Sequence, residues 1–209
     1  MNHRTRAPFV VALAAWGIAL AMSAAAAEPP MTLTQQDYFE IQQLNARYVY
    51  AVDECTNSGY DYAGLYTADG TFGVSQAWGD PGVVFAQGRE ALARAAGGGK
   101  DGCVPRQPSS PVFGIHHIAT NLVITPTATG AYGRSMLLAT GVGHDPAAIE
   151  WQGGYEDTYV KTAEGWRIQS RVHVWIGMET SVQYKTMIAA GIKLPTRTPA
   201  APSTETKAP

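Results

Sequence analysis

Apolar positions along this chain follow two different periods. Tyr38, Ile41, Leu44, Tyr48 and Val52 recur at steps of three and four, the spacing of one buried face of an amphipathic helix. Thr34 and Asp37 stand just ahead of them, a Ser/Thr-x-x-acid start signal of the capping-box kind. A second short helix fits Tyr62 to Tyr66 and stops at Asp69-Gly70. Thr71–Ser75 and Val83–Gln87 read as strands, and Gly88 leads into a helix over Arg89–Ala96. Gly97–Ser110 is a loop dense in Gly and Pro. From Val112 the character turns to β. Ile115–Thr125, Ala131–Val142, Glu150–Lys161 and Trp166–Met178 are strands, parted by turns at Thr127–Gly130, Gly143–Ala147 and Ala163-Glu164-Gly165. Short Gly-bearing turns predict an antiparallel meander. Helices at the front and strands at the back predict α+β, not α/β. A curved sheet with helices on one face makes a cone whose wide end encloses a pocket. The short apolar segment Ser181–Leu194 is expected against the sheet or a neighbouring subunit.

The two ends follow neither period. Residues 1–27 have a basic start (His3, Arg4, Arg6), an apolar stretch from Pro8 to Met22, and Ala25-Ala26-Ala27 before Glu28. This is the layout of a secretory signal peptide cut after Ala27. The apolar stretch is short for a membrane anchor, and the absence of a twin-Arg signature favours the general route. Pro195–Pro209 is rich in Pro, Thr and Ala and is read as a disordered tail. One domain, residues 28–194, lies between. Without the leader, 13 basic residues face 17 acidic ones, a net charge of about −4. That balance points to no nucleic acid and, after cleavage, to no membrane partner. Cys55 and Cys103 both remain in the exported chain, which is expected in the periplasm or secreted. An oxidising compartment favours a Cys55–Cys103 disulfide, with two free thiols as the alternative. Two cysteines without a matching His cluster make a weak zinc site.

Three ionisable residues carry the candidate chemistry. Asp53 closes the first helix near its buried stripe. His117 lies mid-strand, where alternation puts Ala119 and Asn121 on its face and His116 on the other. Arg171 lies mid-strand in WRIQSRVHVW. A carboxylate beside an imidazole fixes its tautomer and raises its basicity. A guanidinium nearby can hold an oxygen on which charge builds. Such a group abstracts protons with neither metal nor organic cofactor. Each residue also has a plain reading: a satisfied strand histidine, a solvated helix-end carboxylate, a surface charge. Tyr48 and Tyr50 can donate hydrogen bonds into a pocket or serve as aromatic core. Asn121 could hold a substrate oxygen, and His173, of the same parity as Arg171, could reach the pocket. His116 is read as structural and His144 as solvated. Trp78, Trp151, Trp166 and Trp175 are read as core or interface. Gly97-Gly98-Gly99-Lys100 lacks the spacing and the preceding strand of a phosphate loop.

Three stretches together resemble the SnoaL-like branch of the NTF2-like superfamily: LNARYVYAVD ending at Asp53, IHHIATNLVI with His117 and Asn121, and YEDTYVKTAEGWRIQSR ending at Arg171. The resemblance runs from about Leu33 to Met178. That branch includes scytalone dehydratase, bile-acid dehydratase and lindane dehydrochlorinase. It implies an α+β NTF2-like cone, a curved antiparallel sheet with the N-terminal helices packed on its concave face. It further implies that Asp53 orients His117, that His117 removes a proton, and that Arg171 lies in the pocket. Two departures narrow the chemistry. The second pocket histidine of scytalone dehydratase falls near Tyr132-Gly133, and the dehydrochlorinase lysine falls at Arg47 or Tyr48.

The resulting expectation is a cofactor-free lyase. It would eliminate water, or an aldehyde from a lignin-type dimer, from a small apolar aromatic or polycyclic molecule. An isomerase using the same dyad and a non-catalytic small-ligand-binding module are the alternatives, since fold does not determine function. A dioxygenase-type partner subunit fits an export signal poorly. The likeness also implies a homo-oligomer, trimer or dimer.

Overall fold

The first helix begins where its capping box stands. The structure, a computed structural model, describes residues 28–104, 115–140, 149–176 and residue 189. The leader at 1–27, the turn expected at 143–147 and the tail from 195 lie outside the described residues. So does all of the 181–194 segment except residue 189. Helix α1, Gln35–Asp53, is capped by Thr34, whose side chain accepts from the Asp37 backbone while the Asp37 carboxylate accepts from the Thr34 backbone. Asp37 also accepts from Lys161 Nζ at 2.7 Å and from Trp166 Nε1 at 2.9 Å. The box therefore starts the helix and also fastens it to the sheet. Thr34→Ala should cost about 1 kcal/mol, measurable by urea denaturation.

The Lys161 ammonium, then the Thr34 and Trp166 donors, hold the Asp37 carboxyl well below the usual carboxylate range. A lowered folded-state pKa means stability that is complete above the unfolded carboxyl value and lost as pH falls through the folded one. Stability should therefore drop below about pH 4, and Asp37→Asn should remove that part of the fall. Urea midpoints compared above and below that pH check it. An unchanged pH slope in the variant would count against the Asp37 anchor.

Ile41, Leu44 and Tyr48 of α1 are 0–3% exposed and meet Leu137, Tyr155 and Ile168 of the sheet. Ile41 and Leu44 each contribute about 1.5–3 kcal/mol by leaving water. A single helical turn, α2 at Tyr60–Ala63, and helix α3 at Gly88–Ala95 complete the helical layer. The expected helix over 62–66 thus lies earlier. The chain leaves helix at Gly64, and Tyr66 opens a strand. The Tyr62 and Tyr66 hydroxyls still meet at 2.7 Å, so the four-residue spacing reflects a contact across the bend.

The strands are β1 Tyr66–Ser75, β2 Val83–Gln87, β3 His116–Pro126, β4 Ala131–Thr140, β5 Ile149–Thr162 and β6 Gly165–Ile176. They form one curved, unclosed sheet in the order β2-β1-β6-β5-β4-β3. The meander β3–β6 is antiparallel as expected, and β1 lies parallel to β6. Parallel neighbours need a long crossover, supplied here by everything between β1 and β6. Strand β1 is longer than its apolar part because Tyr66 and Thr71 pair with Ile168 and Ser170 of β6.

Two irregularities set which side chains face the helices. The β3–β4 register shifts between Thr120 and Val123, and the β5–β6 register shifts between Thr158 and Tyr159. A bulge exchanges the two faces of everything beyond it. In β6 it brings Trp166 and Ile168, then Arg171 and His173, to the buried side. On the other face Trp78 lies under the Arg134 guanidinium, 3.7 Å from its ring centroid.

Candidate functional site

Asp53 ends α1 with 8% exposure. Beyond it the chain turns sharply: Cys55, Asn57, Ser58 and Gly59 all have positive φ, of 51°, 47°, 55° and 79°. The turn lies against the end of α3, where a Cβ on Gly59 would stand 2.4 Å from the Ala93 carbonyl oxygen, so only glycine passes. Cys55 is joined to Cys103 by a disulfide with Cα atoms 6.2 Å apart. It ties the end of the Asp53 helix to the loop that leads toward β3. It closes a segment of 48 residues, so Cys55→Ser with Cys103→Ser should lose about 2–4 kcal/mol. Thermal midpoints with and without reductant measure this, and equal midpoints would contradict it.

His117 is the second residue of β3. Its backbone N–H donates to Asp53 Oδ2 at 2.8 Å, and its ring Nδ1 lies 2.5 Å from Asp53 Oδ1. One carboxylate thus grips both the strand and the imidazole. A carboxylate only accepts, so Nδ1 carries the proton and Nε2 is the proton-accepting nitrogen. The His117 side chain is 12% exposed, whereas that of His116 is 61% exposed and 3.9 Å from Asp53. Alternation along β3 separates the two histidines as expected.

Tyr48, one turn and a half before Asp53, presents its ring edge-on to His117 with centroids 5.8 Å apart. Its hydroxyl meets that of Tyr155, from β5, at 2.5 Å. Burial pushes the Tyr48 hydroxyl up to about 12 and Tyr155 well above its ordinary value. Both keep their protons at neutral pH, and either can be the donor in the bond between them. Arg171 lies beneath the two rings, 4.3 Å from the Tyr48 centroid and 4.4 Å from that of Tyr155. It is wholly buried, not a surface charge. Its Nε and Nη2 donate to the two oxygens of Asp157 at 2.7 and 2.8 Å, and Nη2 also donates to Asn45 Oδ1. Asp157 further accepts from Tyr159 at 2.6 Å. Burial alone would depress the guanidinium's pKa, but the Asp157 carboxylate outweighs it and the pKa is raised. Arg171 therefore supports the tyrosines from below and does not reach the outer surface of the site.

His173 lies two residues further on, 4% exposed, its ring 5.1 Å from that of Tyr155. Sequence parity placed it correctly beside Arg171. Two expected ligand contacts are corrected. Tyr50 is 66% exposed, because two residues of helix turn a side chain about 200° away from Tyr48. Asn121 takes φ 55° in the β3 bulge, and its side chain is exposed while Leu122 turns inward. Sequence reasoning missed Tyr155, Asp157, Asn45 and the contact of the Trp175 ring with that of His173. A signal existed for Asp157: it alternates with Tyr155 and Tyr159 at inward positions, where a carboxylate needs a cation. Among the described residues no cluster of three or more His, Cys, Asp or Glu could hold a metal ion.

Solved structures share this fold. An NTF2-like protein with a cystatin-like fold from Novosphingobium aromaticivorans has a TM-score of 0.54 and 20% identity, covering 73% of this chain and 89% of its own. A protein of unknown function with a cystatin-like fold from Nostoc punctiforme has a TM-score of 0.53 and 21% identity, covering 69% and 95%. A Mycobacterium tuberculosis protein of unknown function has a TM-score of 0.52 and 25% identity, covering 68% and 77%. No curated protein matches the sequence. The profile of the SnoaL-like domain matches residues 34–172, a stretch that holds α1 and its capping box, Asp53, His117 and Arg171, and the chain belongs to the SnoaL-like family.

Proposed function

We propose that the protein is a lyase in which His117 removes a proton from carbon and Asp53 holds the imidazole and stabilises its charged form. The observation that carries this reading is the double grip of one buried carboxylate on His117, at its backbone N–H and at Nδ1. It holds the imidazole in the tautomer whose Nε2 can accept a proton. For loss of water, the β carbon–oxygen bond breaks as the proton leaves carbon, and the departing hydroxyl takes up a proton from an acid in the site; for loss of an aldehyde, His117 instead takes the proton of a substrate hydroxyl, the adjoining carbon–carbon bond breaks as the carbonyl forms, and the carbanion released takes up that proton. Tyr48 is the donor suited to polarise the oxygen, since Arg171 is committed to Asp157. The aromatic character of the surroundings suits an apolar aromatic or polycyclic substrate.

The test compares wild type, His117→Ala and Asp53→Asn on a panel of hydroxylated aromatic and steroid-like compounds, with products identified by mass. Loss of water or of an aldehyde in wild type alone supports the lyase. A product of unchanged mass replaces elimination with isomerisation. Equal turnover in all three proteins would sink the dyad.

The same reading places the protein outside the cytoplasm, in the periplasm or secreted. The 1–27 pattern and the Cys55–Cys103 bridge support export. Among the described residues no helix is long and apolar enough to cross a membrane. A homo-oligomer completes the proposal, in line with the family's habit.

A further inference from the structure

Helix α1 ends in a conformation that its own residues resist. A helix commonly closes with a left-handed residue just past its C-cap, and glycine is the usual occupant because it has no Cβ. Here Glu54 is the C-cap, its N–H donating to Tyr50 O at 3.0 Å, and the next residue is Cys55 at φ 51° and ψ 42°. Asn57 and Ser58 are left-handed too. Asparagine visits this region readily, whereas cysteine and serine pay its steric cost. Such strain persists only where neighbouring structure fixes it, and it gathers where function needs a side chain held in one direction. The neighbour here is the loop 97–104. Cys103 is bonded to Cys55. The Gly99 N–H donates to Ser58 O at 2.8 Å, and a Cβ on Gly98 would stand 2.0 Å from that same oxygen. The loop is closed on itself by the Val104 N–H on Gly97 O at 2.8 Å and the Gly102 N–H on Gly99 O at 3.0 Å. The glycine run that makes no phosphate loop thus packs on the residues directly after Asp53.

We propose that the 97–104 loop is a clasp that holds the left-handed turn 55–59, and through it the end of α1, so that the Asp53 carboxylate meets both the backbone N–H and the ring of His117. Cys55 and Gly99 are positioning residues that act through Asp53. Released from the clasp, Cys55 gains by returning to negative φ. That rotation re-aims the chain on either side of it, and Asp53 is two residues away. Bonds of 2.8 and 2.5 Å from one carboxylate to a strand and to its imidazole tolerate little such motion. β3 is an outer strand of the sheet, so its hold on α1 depends on contacts of this kind. The consequence for turnover rests on the Asp53–His117 pair being the catalytic one; the clasp itself does not.

Hydrogen exchange of the His117 amide, followed by NMR on the oxidised protein, reads the Asp53 grip without any substrate. The reference is the amide of Ile168, a fully buried residue whose N–H donates to Leu65 O at 2.9 Å. A loss of overall stability speeds the reference, so the ratio of the two rates isolates the grip. Cys55→Ser with Cys103→Ser should speed exchange at His117 about tenfold relative to Ile168, the scale of one left-handed residue relaxing. Cys55→Gly with Cys103→Ser, equally unbonded, should return most of the way to the wild-type ratio, because glycine takes the left-handed conformation unaided. On the compound identified by the product screen, kcat should fall and recover in the same order, with KM little changed. Ser58→Gly with the bond intact should raise the thermal midpoint by about 2–4 °C, and this decides if an unbonded variant does not fold. The clasp is overturned if the serine pair leaves the ratio unchanged, if Cys55→Gly does no better than Cys55→Ser, or if Ser58→Gly fails to raise the midpoint. If exchange responds as stated but kcat does not, the assignment of the dyad as catalyst fails and the clasp stands.

Discussion

His117→Ala should lower turnover by about 10²–10⁴-fold, the span that a positioned general base commonly supplies. The backbone N–H of residue 117 still meets Asp53 in the variant, so β3 stays attached to α1. The cost in stability is the orphaned Asp53 Oδ1, about 1–3 kcal/mol. Asp53→Asn is the sharper form of the same test. It keeps size and shape, and its amide oxygen can still accept from the backbone of His117. Its amide nitrogen, however, would have to face Nδ1 and can only donate. The ring proton is then driven to Nε2, and the base is in the wrong tautomer. Loss of activity should therefore approach that of His117→Ala, about 10³–10⁴-fold, as tautomer reversal does in other His–carboxylate pairs. A merely structural Asp53 would tolerate the amide with near-normal kcat. Steady-state kinetics on the compound identified by the product screen distinguishes the two.

Arg171→Met should lower stability by about 3–5 kcal/mol, the usual result of removing one partner from a buried ion pair. Asp157 is 1% exposed and would be left with only the Tyr159 hydroxyl. The rings of Tyr48 and Tyr155 would lose the cation beneath them as well. Arg171→Lys should also be costly, since an ammonium cannot reproduce the two parallel bonds to Asp157 while lying flat under two rings. The double variant Arg171→Met with Asp157→Leu should recover most of the loss, because no buried charge is then left unpaired. Urea unfolding of the three proteins measures this. A single-variant loss under about 1 kcal/mol would mean that the pair is not what holds the tyrosines in place.

These two expectations come from features of different legibility. The Asp53–His117 pair was readable from a helix-end carboxylate, a strand imidazole and their motif context, although His117 stands at the start of β3 and not in its middle. The Arg171–Asp157 pair was not read, although both residues lie in one matched stretch. They are 14 apart in sequence and meet because the β5–β6 register sets them directly opposite. His173 was read by parity, which held from Arg171 onward because both lie beyond the β6 irregularity. Asn121 was misread by the same parity, because the β3 bulge falls at Asn121 itself.

What the sequence determined by itself is local. The Thr34–Asp37 box, the three- and four-residue apolar rhythm of α1, the strand periods and the hairpin turns each depend on residues a few positions apart. Short-range sterics and hydrogen bonding decide such features. The α+β order followed from them, whereas the pairing of Asp53 with His117 was implied by the resemblance of their motifs to the SnoaL-like branch. Only the tertiary structure decided where the sheet slips register, which strand lies parallel to β6 and what neutralises Arg171. Each of those depends on partners far apart in the chain. Strand pairing can shift by one residue without changing any local pattern, and that single step decides which side chains are buried together.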